Sequence, residues 1–388
     1  MQRGYMKKNL KNKLFNSKIT KEEFLKKYWN KKPYHFKNAV PNASDLGEFS
    51  DFQEMALDPE FETRIVYETG GDYPWQAIKG PLKKTHFKKK SLWTIMCHNL
   101  ELFNPDLFNI KEELNFLANW HFDDVMSTTS KKGASVGAHI DDYSVFIFQG
   151  RGKRKWLLQE NPNPSFVPNI DIKLLQEFNP TMEIVLEPGD MIYIPPNVAH
   201  HGISLEDSVS YSIGFKSIRF QQLLDTMIYC DELNFDEHNF HDHQVKPIED
   251  QFIVPDYMIK DLKNDLLKLL SNEKLLKTAL IHHLSKPKNQ IFSIDEFSEK
   301  DLNKILKTNI IRRDIWSKLV STKLNSKQVL CAINRKTYPL SLGAYHLISQ
   351  YFATSPHDEI IIKSGDLKNH EVKNFVLQML NDGVFYLD

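Results

Sequence analysis

The sequence predicts a mainly β core of jelly-roll type between residues 130 and 215, flanked by helices. Three observations support this. Short runs of β-branched and aromatic residues alternate with turn residues through this stretch. The hydrophobic pattern changes to a helical spacing after Phe215. Finally, His139, Asp141 and the distant His200 stand next to predicted strands, where polar side chains can meet at the mouth of the core.

The predicted strands follow one another at short intervals and are separated by turns. The strands are Tyr143–Gln149, Arg154–Leu158, Glu183–Glu187, the run from Met191 towards His200, and Val209–Phe215. The turns are marked by the glycines of residues 150–152 and by the Pro-Gly-Asp sequence of residues 188–190. Many short strands without intervening helices are typical of a β-sandwich or a small barrel. We therefore expect the polar cluster to lie at its mouth.

The spacing of His139 and Asp141 suits a metal site. On an extended strand, residues i and i+2 point to the same face, so both side chains can reach one ion. Two histidines and one carboxylate form the facial triad that holds Fe(II) and leaves three coordination positions open. In the competing interpretation, His139 is an ordinary core histidine and Asp141 a turn residue. Only one of His200 and His201 can face the core, and the register of PPNVAH favours His200.

Composition and charge restrict the class of protein. The 388 residues are 41% hydrophobic and carry 50 basic and 50 acidic side chains. This balance indicates a globular protein and gives no general sign of nucleic-acid or membrane binding. Three scattered cysteines (Cys97, Cys230 and Cys331) favour neither a disulfide framework nor a thiolate zinc site. With no long apolar run and no secretory signal pattern, we expect a cytoplasmic protein.

Helices are predicted on the N-terminal side of the core. Residues 1–40 hold twelve Lys or Arg and two Glu, which favours a solvated extension over an RNA-binding tail. Glu22–Trp29 is predicted to be an amphipathic helix with Thr20 as its N-cap. Apolar spacing also predicts helices over Ser91–Phe103 and Ile110–Trp120.

The region after the core is predicted to be mainly helical. Leucine-rich helical spacing extends over Ile218–Tyr229 and Pro255–Leu284. Further on, a hairpin-like stretch over Val329–Leu340 lies between helical segments. Residues 292–388 carry thirteen basic and eleven acidic side chains, too weak a positive field for a face that binds a DNA duplex.

The order of the motifs resembles a known family. The pattern H-x-D, then VFIFQGRGKRKW, then LEPGDMIYIPPNVAHHG, then YSIGF is similar to the JmjC-type ribosomal oxygenases of the cupin superfamily. FLKKYWNKKP, WHFDDVMSTTS and LNDGVFYLD extend the resemblance over nearly the whole chain. It implies a double-stranded β-helix core and an Fe(II)- and 2-oxoglutarate-dependent dioxygenase that uses dioxygen. The bacterial members, which the chain resembles most, 3-hydroxylate an arginine of a large-subunit (50S) ribosomal protein, the one numbered sixteen.

The resemblance also implies roles for individual residues. It makes His139, Asp141 and His200 the iron ligands. Arg154 matches the residue that binds the distal carboxylate of 2-oxoglutarate, a task that suits the planar guanidinium fork. Ser130 and Thr128 match hydroxyls that help to hold the cosubstrate.

Two residues depart from the family pattern, and three are predicted to wall the site. His201 follows the distal iron ligand directly, and Ser210 stands where the bacterial relatives tend to have Asn. Either departure is expected to affect the residues around the triad rather than the triad itself. Val145, Ile147 and Phe148 are candidates for an apolar wall that keeps the site dry.

The domain organisation and the partners follow from the same resemblance. Residues 1–216 would hold the extension and the catalytic domain, residues 217–286 a helical dimerisation segment, and residues 287–388 a winged-helix domain. We therefore expect a homodimer with a ribosomal protein as its substrate, no membrane association and no sequence-specific DNA binding. The alternatives are histidine hydroxylation of another ribosomal protein, as in the animal relatives, lysine demethylation, and a non-catalytic metal-binding adaptor.

Two further patterns predict no site. His238, His241 and His243 lie in an acidic linker without a regular element to fix their geometry, so we expect them to be solvated. Gly150-Arg151-Gly152 lacks the third glycine and the following helix of a dinucleotide-binding loop.

Overall fold

The fold is taken from a computed structural model. It describes residues 14–15, 17, 19–69, 75–89, 91–168, 173–230, 240, 252–288, 296–302, 310–363 and 365–387. The chain forms two compact units, residues 1–217 and 218–388. In the described residues, no helix is long and apolar enough to cross a membrane. The predicted histidine tract of residues 238, 241 and 243 lies outside the described residues, as do residues 1–13 of the basic extension.

The first unit is built on two sheets. Its strands are β1 (Tyr34–Phe36), β2 (Thr63–Glu68), β3 (Trp75–Lys79), β4 (Leu92–Cys97), β5 (Phe122–Ser130), β6 (His139–Ile140), β7 (Ser144–Arg151), β8 (Arg154–Gln159), β9 (Met182–Leu186), β10 (Met191–Ile194), β11 (Ala199–Ser204) and β12 (Ser208–Phe215). The larger sheet has the order β1-β10-β7-β12-β5-β4-β2-β3, and the smaller has the order β6-β11-β8-β9. All strand pairs in both sheets are antiparallel. The sheet-rich core predicted from the sequence is confirmed.

The two sheets pack face to face through a small apolar cluster. Val145 and Ile147 of β7 contact Trp156 and Leu158 of β8 in this cluster. On the opposite face of β7, Phe146 and Phe148 enter a second, larger core. Because both faces of β7 are buried, its sequence is a continuous apolar run. Val145 and Ile147 therefore face the smaller sheet as predicted. The prediction for Phe148 is wrong, because neighbouring residues of a strand point to opposite faces and its ring enters the larger core on the other side of β7.

Short helices cover the larger core. They are α1 (Lys21–Lys27), α2 (Phe49–Met55) and α3 (Pro105–Glu112), with 3₁₀ turns at Ala43–Leu46, His86–Lys88, Leu100–Leu102 and Asn119–His121. The Thr20 hydroxyl accepts from the Glu23 N–H, so the predicted N-cap is confirmed. The predicted helix Ser91–Phe103 is wrong: it contains β4, which is paired with β2 and β5. Five of the six residues of β4 are buried, and a continuous buried run has no hydrophobic periodicity that would distinguish a strand from a helix.

The second unit begins with three helices. They are α4 (Phe220–Tyr229), α5 (Asp256–Leu270) and α6 (Glu273–Leu284). Met227 of α4 packs on Leu275 and Ala279 of α6. The predicted helical region is confirmed in its type, and the stretch Pro255–Leu284 forms two helices that meet at Ser271 and Asn272. The Asn272 side chain accepts from the Leu275 N–H and so caps the second of them.

The rest of this unit is a small α/β arrangement. Its elements are β13 (Ile310–Arg313), β14 (Val320–Lys323), β15 (Gln328–Ile333), β16 (Lys336–Ser341), α7 (Leu342–Ala353), β17 (Ile360–Ile361), the 3₁₀ turn Asp366–Lys368, α8 (His370–Asn381) and β18 (Phe385–Tyr386). The predicted hairpin is confirmed as β15 paired with β16. One apolar cluster holds β15, α7 and α8 together through Cys331, Ile348 and Phe375.

Candidate metal centre

Three side chains meet at the mouth of the first unit. His139 lies on β6 and His200 directly opposite it on β11, and Asp141 follows β6. The Nε2 atoms of His139 and His200 lie 4.0 Å and 3.6 Å from Oδ2 of Asp141. One candidate ligand atom from each residue lies within 4.8 Å of the other two, which makes this the metal-competent group among the described residues. Small side-chain rotations would bring all three atoms onto one ion, since each metal bond is about 2.0 to 2.2 Å long.

The backbone sets the direction of both imidazoles. The Nδ1 atom of His139 lies 3.0 Å from the carbonyl of Gly137, and that of His200 lies 3.1 Å from the carbonyl of Val198. A carbonyl oxygen only accepts, so in both rings Nδ1 carries the proton and donates the hydrogen bond. The lone pair is then left on Nε2, the atom that faces Asp141. This is the tautomer that a metal requires.

Burial keeps His200 neutral. Desolvation is the main cause that lowers the pKa of His200, to about 4 in all; the neighbouring His139 also lowers it, and Asp141 raises it by less. A neutral imidazole is the metal-binding form. His201, the next residue, points to the opposite face of β11, and its Nε2 lies 2.9 Å from Oγ of Ser135. The structure therefore places His200, and not His201, in the cluster.

Arg154 is a buried cation inside the core. It is 1% exposed, its Nη1 donates to Oγ of Ser210 at 3.1 Å, and its Nη2 donates to the carbonyl of Gly202 at 3.2 Å. Its guanidinium carbon lies 5.2 Å from the ring centre of Trp156. No carboxylate of the described residues pairs with it, its Nε has no partner, and burial lowers its pKa to about 10. A buried guanidinium with three N–H groups still available is suited to an incoming carboxylate.

The two predicted hydroxyl residues lie in different surroundings. Thr128 of β5 lines the same cavity as Arg154 and the His–Asp–His cluster. Ser130, two residues further along β5, is fully buried, and its Oγ lies 2.9 Å from Oγ1 of Thr94. Ser130 does not line the cavity. The hydroxyl that meets Arg154 is instead that of Ser210, one of the two residues singled out as departures from the family pattern.

One cavity of about 360 Å³ joins these groups. Its apolar wall includes Val145, Ile147 and Trp156. The buried Nε1 of Trp156 has no partner among the described residues. The residues that line the cavity are Arg64, Val66, Met96, His98, Asp123, Asp124, Met126, Thr128, Val136, His139, Ile140, Asp141, Tyr143, Val145, Ile147, Arg154, Trp156, Lys173, His200, Ser212 and Gly214.

The same cavity has an acidic part. Asp123 and Asp124, at the start of β5, both line it. Oδ2 of Asp124 lies 2.9 Å from Nδ1 of His98, and Oδ1 of Asp123 lies 2.7 Å from Nζ of Lys216. Burial, together with the nearby carboxylates of Asp141 and Asp124, raises the pKa of Tyr143, so its phenol stays protonated. Sequence reasoning missed these residues as a site, although Asp123 and Asp124 stand in the recognised WHFDDVMSTTS run.

The jelly-roll core has a His-x-Asp…His cluster at its mouth and a buried arginine behind it. Two histidines and one carboxylate in this arrangement are typical of non-haem Fe(II) oxygenases. Residues 109–223 match the family model described as the JmjC domain. The chain therefore carries a JmjC domain, which includes the three clustered residues and Arg154, and the resemblance noted in the sequence is confirmed.

Particular relatives extend the match beyond this domain. The probable ribosomal oxygenase of Haemophilus influenzae is 29% identical over 296 residues, 73% of either chain. The ribosomal protein uL16 3-hydroxylase of Escherichia coli is 26% identical over 272 residues, 69% of this chain and 72% of the relative. The ribosomal oxygenase YcfD of Escherichia coli, solved with cobalt and 2-oxoglutarate, has a TM-score of 0.76 at 20% identity and covers 94% of this chain and 97% of its own. At that identity the structural likeness establishes the fold.

Proposed function

We propose that this chain is an Fe(II)- and 2-oxoglutarate-dependent protein hydroxylase that acts on an arginine of a large-subunit ribosomal protein. The observation that carries the proposal is the pairing of two features in one cavity: the His139–Asp141–His200 cluster, and Arg154, which has no carboxylate partner in the part of the chain that the structure describes. Iron alone would explain the first feature. An anionic cosubstrate would pair with the buried cation behind it and so account for the second.

The residues present fit the cofactor and the cosubstrate. His139, Asp141 and His200 would hold Fe(II), and Arg154 would bind the far carboxylate of 2-oxoglutarate with Thr128 beside it. When bound, iron, 2-oxoglutarate and dioxygen supply the oxidising chemistry that inserts one oxygen atom into a C–H bond. The protein supplies position: Ser210 and Gly202 fix the guanidinium, and Val145, Ile147 and Trp156 form an apolar wall of the cavity.

The acidic part of the cavity supports a cationic target side chain. Asp123 and Asp124 line the cavity that contains the metal cluster, and His98 holds Asp124 in place. A guanidinium entering this region would find carboxylates as charge-assisted hydrogen-bond acceptors. The name of the Escherichia coli relative, uL16 3-hydroxylase, supports the same substrate for this chain.

A non-catalytic adaptor is the competitor from another class, and Arg154 speaks against it. Burying an unpaired guanidinium destabilises a fold, and an adaptor without a cosubstrate gains nothing from that cost. Histidine hydroxylation uses the same iron site and differs only in the target residue, so the substrate assay must separate it from arginine hydroxylation.

We also propose that α4 and α5 form a homodimer interface. Within α5, Ile259, Leu262, Leu266 and Leu270 recur at helical spacing and are all exposed. Such stripes on a single chain are typical of interaction surfaces. A second copy is the natural occupant, because an interface with two-fold symmetry pairs the same patch on both subunits. The exposed apolar residues of this surface are Phe220, Leu224, Ile228, Tyr229, Phe252, Ile253, Val254, Ile259, Leu262, Leu266, Leu267 and Leu270.

The C-terminal part is proposed to be a winged-helix domain in a cytoplasmic protein. The β15–β16 hairpin stands next to α7 in sequence, and both pack into one cluster with α8. Its nearly balanced charge makes a structural or protein-binding role the better assignment than DNA binding.

Turnover tests the proposed function. The iron-loaded chain is incubated with 2-oxoglutarate and a set of recombinant large-subunit ribosomal proteins, and succinate is measured alongside peptide masses. We expect a gain of one oxygen on an arginine-containing peptide and no gain with His139→Ala. A gain of oxygen on a histidine would show that the chain is a histidine hydroxylase rather than an arginine hydroxylase. Turnover without a modified peptide would contradict the ribosomal substrate but not the oxygenase. The absence of iron-dependent turnover would favour the adaptor.

A further inference from the structure

His201 stands next to His200 but serves neither the cavity nor the apolar core. As the neighbour of an inward-facing residue on β11, it points to the outer face of the smaller sheet. It is partly buried, with the Phe178 ring edge-on to its own at a centroid distance of 6.0 Å. Its Nε2 lies 2.9 Å from Oγ of Ser135. Because the His201 imidazole is held in place, its hydrogen bond fixes the position of the Ser135 hydroxyl.

Ser135 lies in the segment of residues 131–138 that leads from β5 to the metal cluster. It is 4% exposed, and its Oγ accepts from the Gly137 N–H at 2.8 Å. Its backbone carbonyl accepts from Oγ1 of Thr94 at 3.3 Å. A hydroxyl can donate one hydrogen bond and accept two, so Oγ of Ser135 can bond Gly137 and His201 at the same time.

Gly137 completes the connection to His139. Its carbonyl accepts from Nδ1 of His139 at 3.0 Å, and its φ of +82° lies in the left-handed region that favours glycine. A Cβ at this position would come within 2.5 Å of Cδ2 of Leu174. Because Gly137 has no side chain of its own to pack, its placement depends on the hydrogen bonds at its N–H and C=O.

Other contacts fix the backbone of residues 131–138 but not the orientation of the His139 imidazole. Gly133 and Ala134 exchange backbone hydrogen bonds with Ser204 at 2.7 Å and 3.1 Å, and the Ala138 carbonyl accepts from the Leu175 N–H at 2.9 Å. The orientation of the His139 imidazole is fixed at the Gly137 carbonyl instead. The chain of contacts therefore runs from His201 through Ser135 and Gly137 to His139.

We propose that His201 is a positioning residue, which orients His139 for the metal through Oγ of Ser135 and the Gly137 peptide. The inference rests on the proposed function, because it takes His139 as a metal ligand. Partners that hydrogen-bond a metal ligand directly typically change metal affinity by about 10- to 100-fold when they are removed. We expect a change of about tenfold here, at the lower end of that range, because His201 acts on His139 through Ser135 and Gly137 rather than directly.

Cobalt binding to the full chain tests the proposal without turnover. Co(II) is titrated into wild type, His201→Ala, Ser135→Ala and the double variant, and its visible absorption reports both the Kd and the ligand geometry. We expect both single variants to bind about tenfold more weakly with an altered spectrum, and the double variant to bind no more weakly than either, because they act in series. His201→Gln retains a side-chain hydrogen-bonding group near Ser135 and should restore most of the affinity.

The control is Lys155→Ala. Lys155 lies on the neighbouring strand β8, and its charge lowers the pKa of His201, so this variant changes the charge around the imidazole and leaves the hydrogen bonds intact. It should bind cobalt like wild type. Thermal unfolding without metal establishes that each variant is folded, and if His201→Ala does not fold, Ser135→Ala carries the test.

The outcomes separate the two proposals. Cobalt binding by His201→Ala with the wild-type Kd and spectrum, or additive effects of the two substitutions, would overturn the positioning role while leaving the metal site in place. Failure of the wild-type chain to bind cobalt would overturn the proposed function, and the positioning role with it.

Discussion

Arg154 and Ser210 are joined by a hydrogen bond that crosses from one sheet to the other. Nη1 of Arg154, on β8 of the smaller sheet, donates to Oγ of Ser210, on β12 of the larger sheet, over 3.1 Å. The guanidinium thus has a fixed position before any carboxylate arrives. Preorganisation of this kind reduces the side-chain ordering that binding would otherwise require.

The first prediction concerns Arg154 and ligand-dependent stability. A ligand at 100 times its Kd raises the free energy of unfolding by about 2.7 kcal/mol. We expect 2-oxoglutarate to stabilise the cobalt-loaded wild type accordingly, and not to stabilise Arg154→Met at the same concentration. Differential scanning fluorimetry measures this effect. Lys155→Met, which removes a neighbouring charge from the same strand, should respond like wild type; equal stabilisation of Arg154→Met would show that the carboxylate binds elsewhere.

Gly202 gives a second prediction, based on space. A Cβ at Gly202 would lie 2.8 Å from Nε of Arg154 and 2.8 Å from the Trp156 ring. Gly202→Ala should therefore displace the guanidinium and raise the KM for 2-oxoglutarate by about tenfold, as expected for the loss of one charge-assisted hydrogen bond. Gly343→Ala is the matched control, because nothing lies within 4 Å of its Cβ. An unchanged KM in Gly202→Ala would mean that Arg154 adapts without loss.

Asp190 predicts how stability depends on pH. Its carboxylate accepts from Nζ of Lys37 at 2.7 Å and from the Asn38 N–H at 3.0 Å. Burial raises the pKa of Asp190, but these two hydrogen bonds, a third from the Glu187 N–H and the charge of Lys37 together lower it more, so the net pKa is below 3.8. A pKa that is depressed by folding contributes stability above the unfolded value and loses it as the pH falls through the folded value. The carboxylate should therefore stabilise the fold from neutral pH down to about 4.

The test compares wild type with Asp190→Asn. At pH 7 we expect the variant to be less stable by about 2 kcal/mol, the scale of a hydrogen bond to a charged group. The difference should shrink below pH 4, because the wild-type carboxylate then becomes protonated as well. Urea unfolding at several pH values measures it. A difference that stays constant down to pH 2.5 would assign the effect to side-chain packing.

The last prediction concerns the α4–α5 surface. Replacing Ile259 and Leu266 by Glu places charges on the exposed stripe of α5. We expect the double variant to be monomeric under conditions in which the wild type is dimeric, as measured by light scattering after size-exclusion chromatography. Lys268→Glu places the same kind of charge at an exposed position about half a turn around the helix from Ile259, and should leave the dimer intact. A monomeric wild type at micromolar concentration would refute the interface.

The parts of the site that local rules govern were predictable from the sequence. The i, i+2 spacing of His139 and Asp141 and the strand parity of His200 and His201 are local properties, and the structure places these residues accordingly. The position of the Ser130 hydroxyl, which the resemblance had suggested as a cosubstrate contact, does not follow from a local rule. Whether its hydroxyl reaches the cavity or Thr94 is decided by the pairing of β5 with β4, which is non-local.

Burial on both faces explains where the fold prediction was wrong. Leu92–Cys97 lies between β2 and β5, so nearly every residue is apolar and the two-residue period of a strand disappears. The acidic part of the cavity was missed for another reason. Asp124 becomes part of a site only when β4 brings His98 beside it, and no spacing rule along the chain signals that contact.

Strand β6 is so short that few hydrogen bonds hold it at the mouth of the core. This two-residue strand lies at the edge of its sheet and pairs with β11 alone. His139 and His200, which would both hold the ion, lie opposite each other in that single pairing, so a bound ion would strengthen it. Without the ion, this edge would be held by backbone hydrogen bonds alone, including those that the Ala138 and Asp141 carbonyls accept on either side of β6.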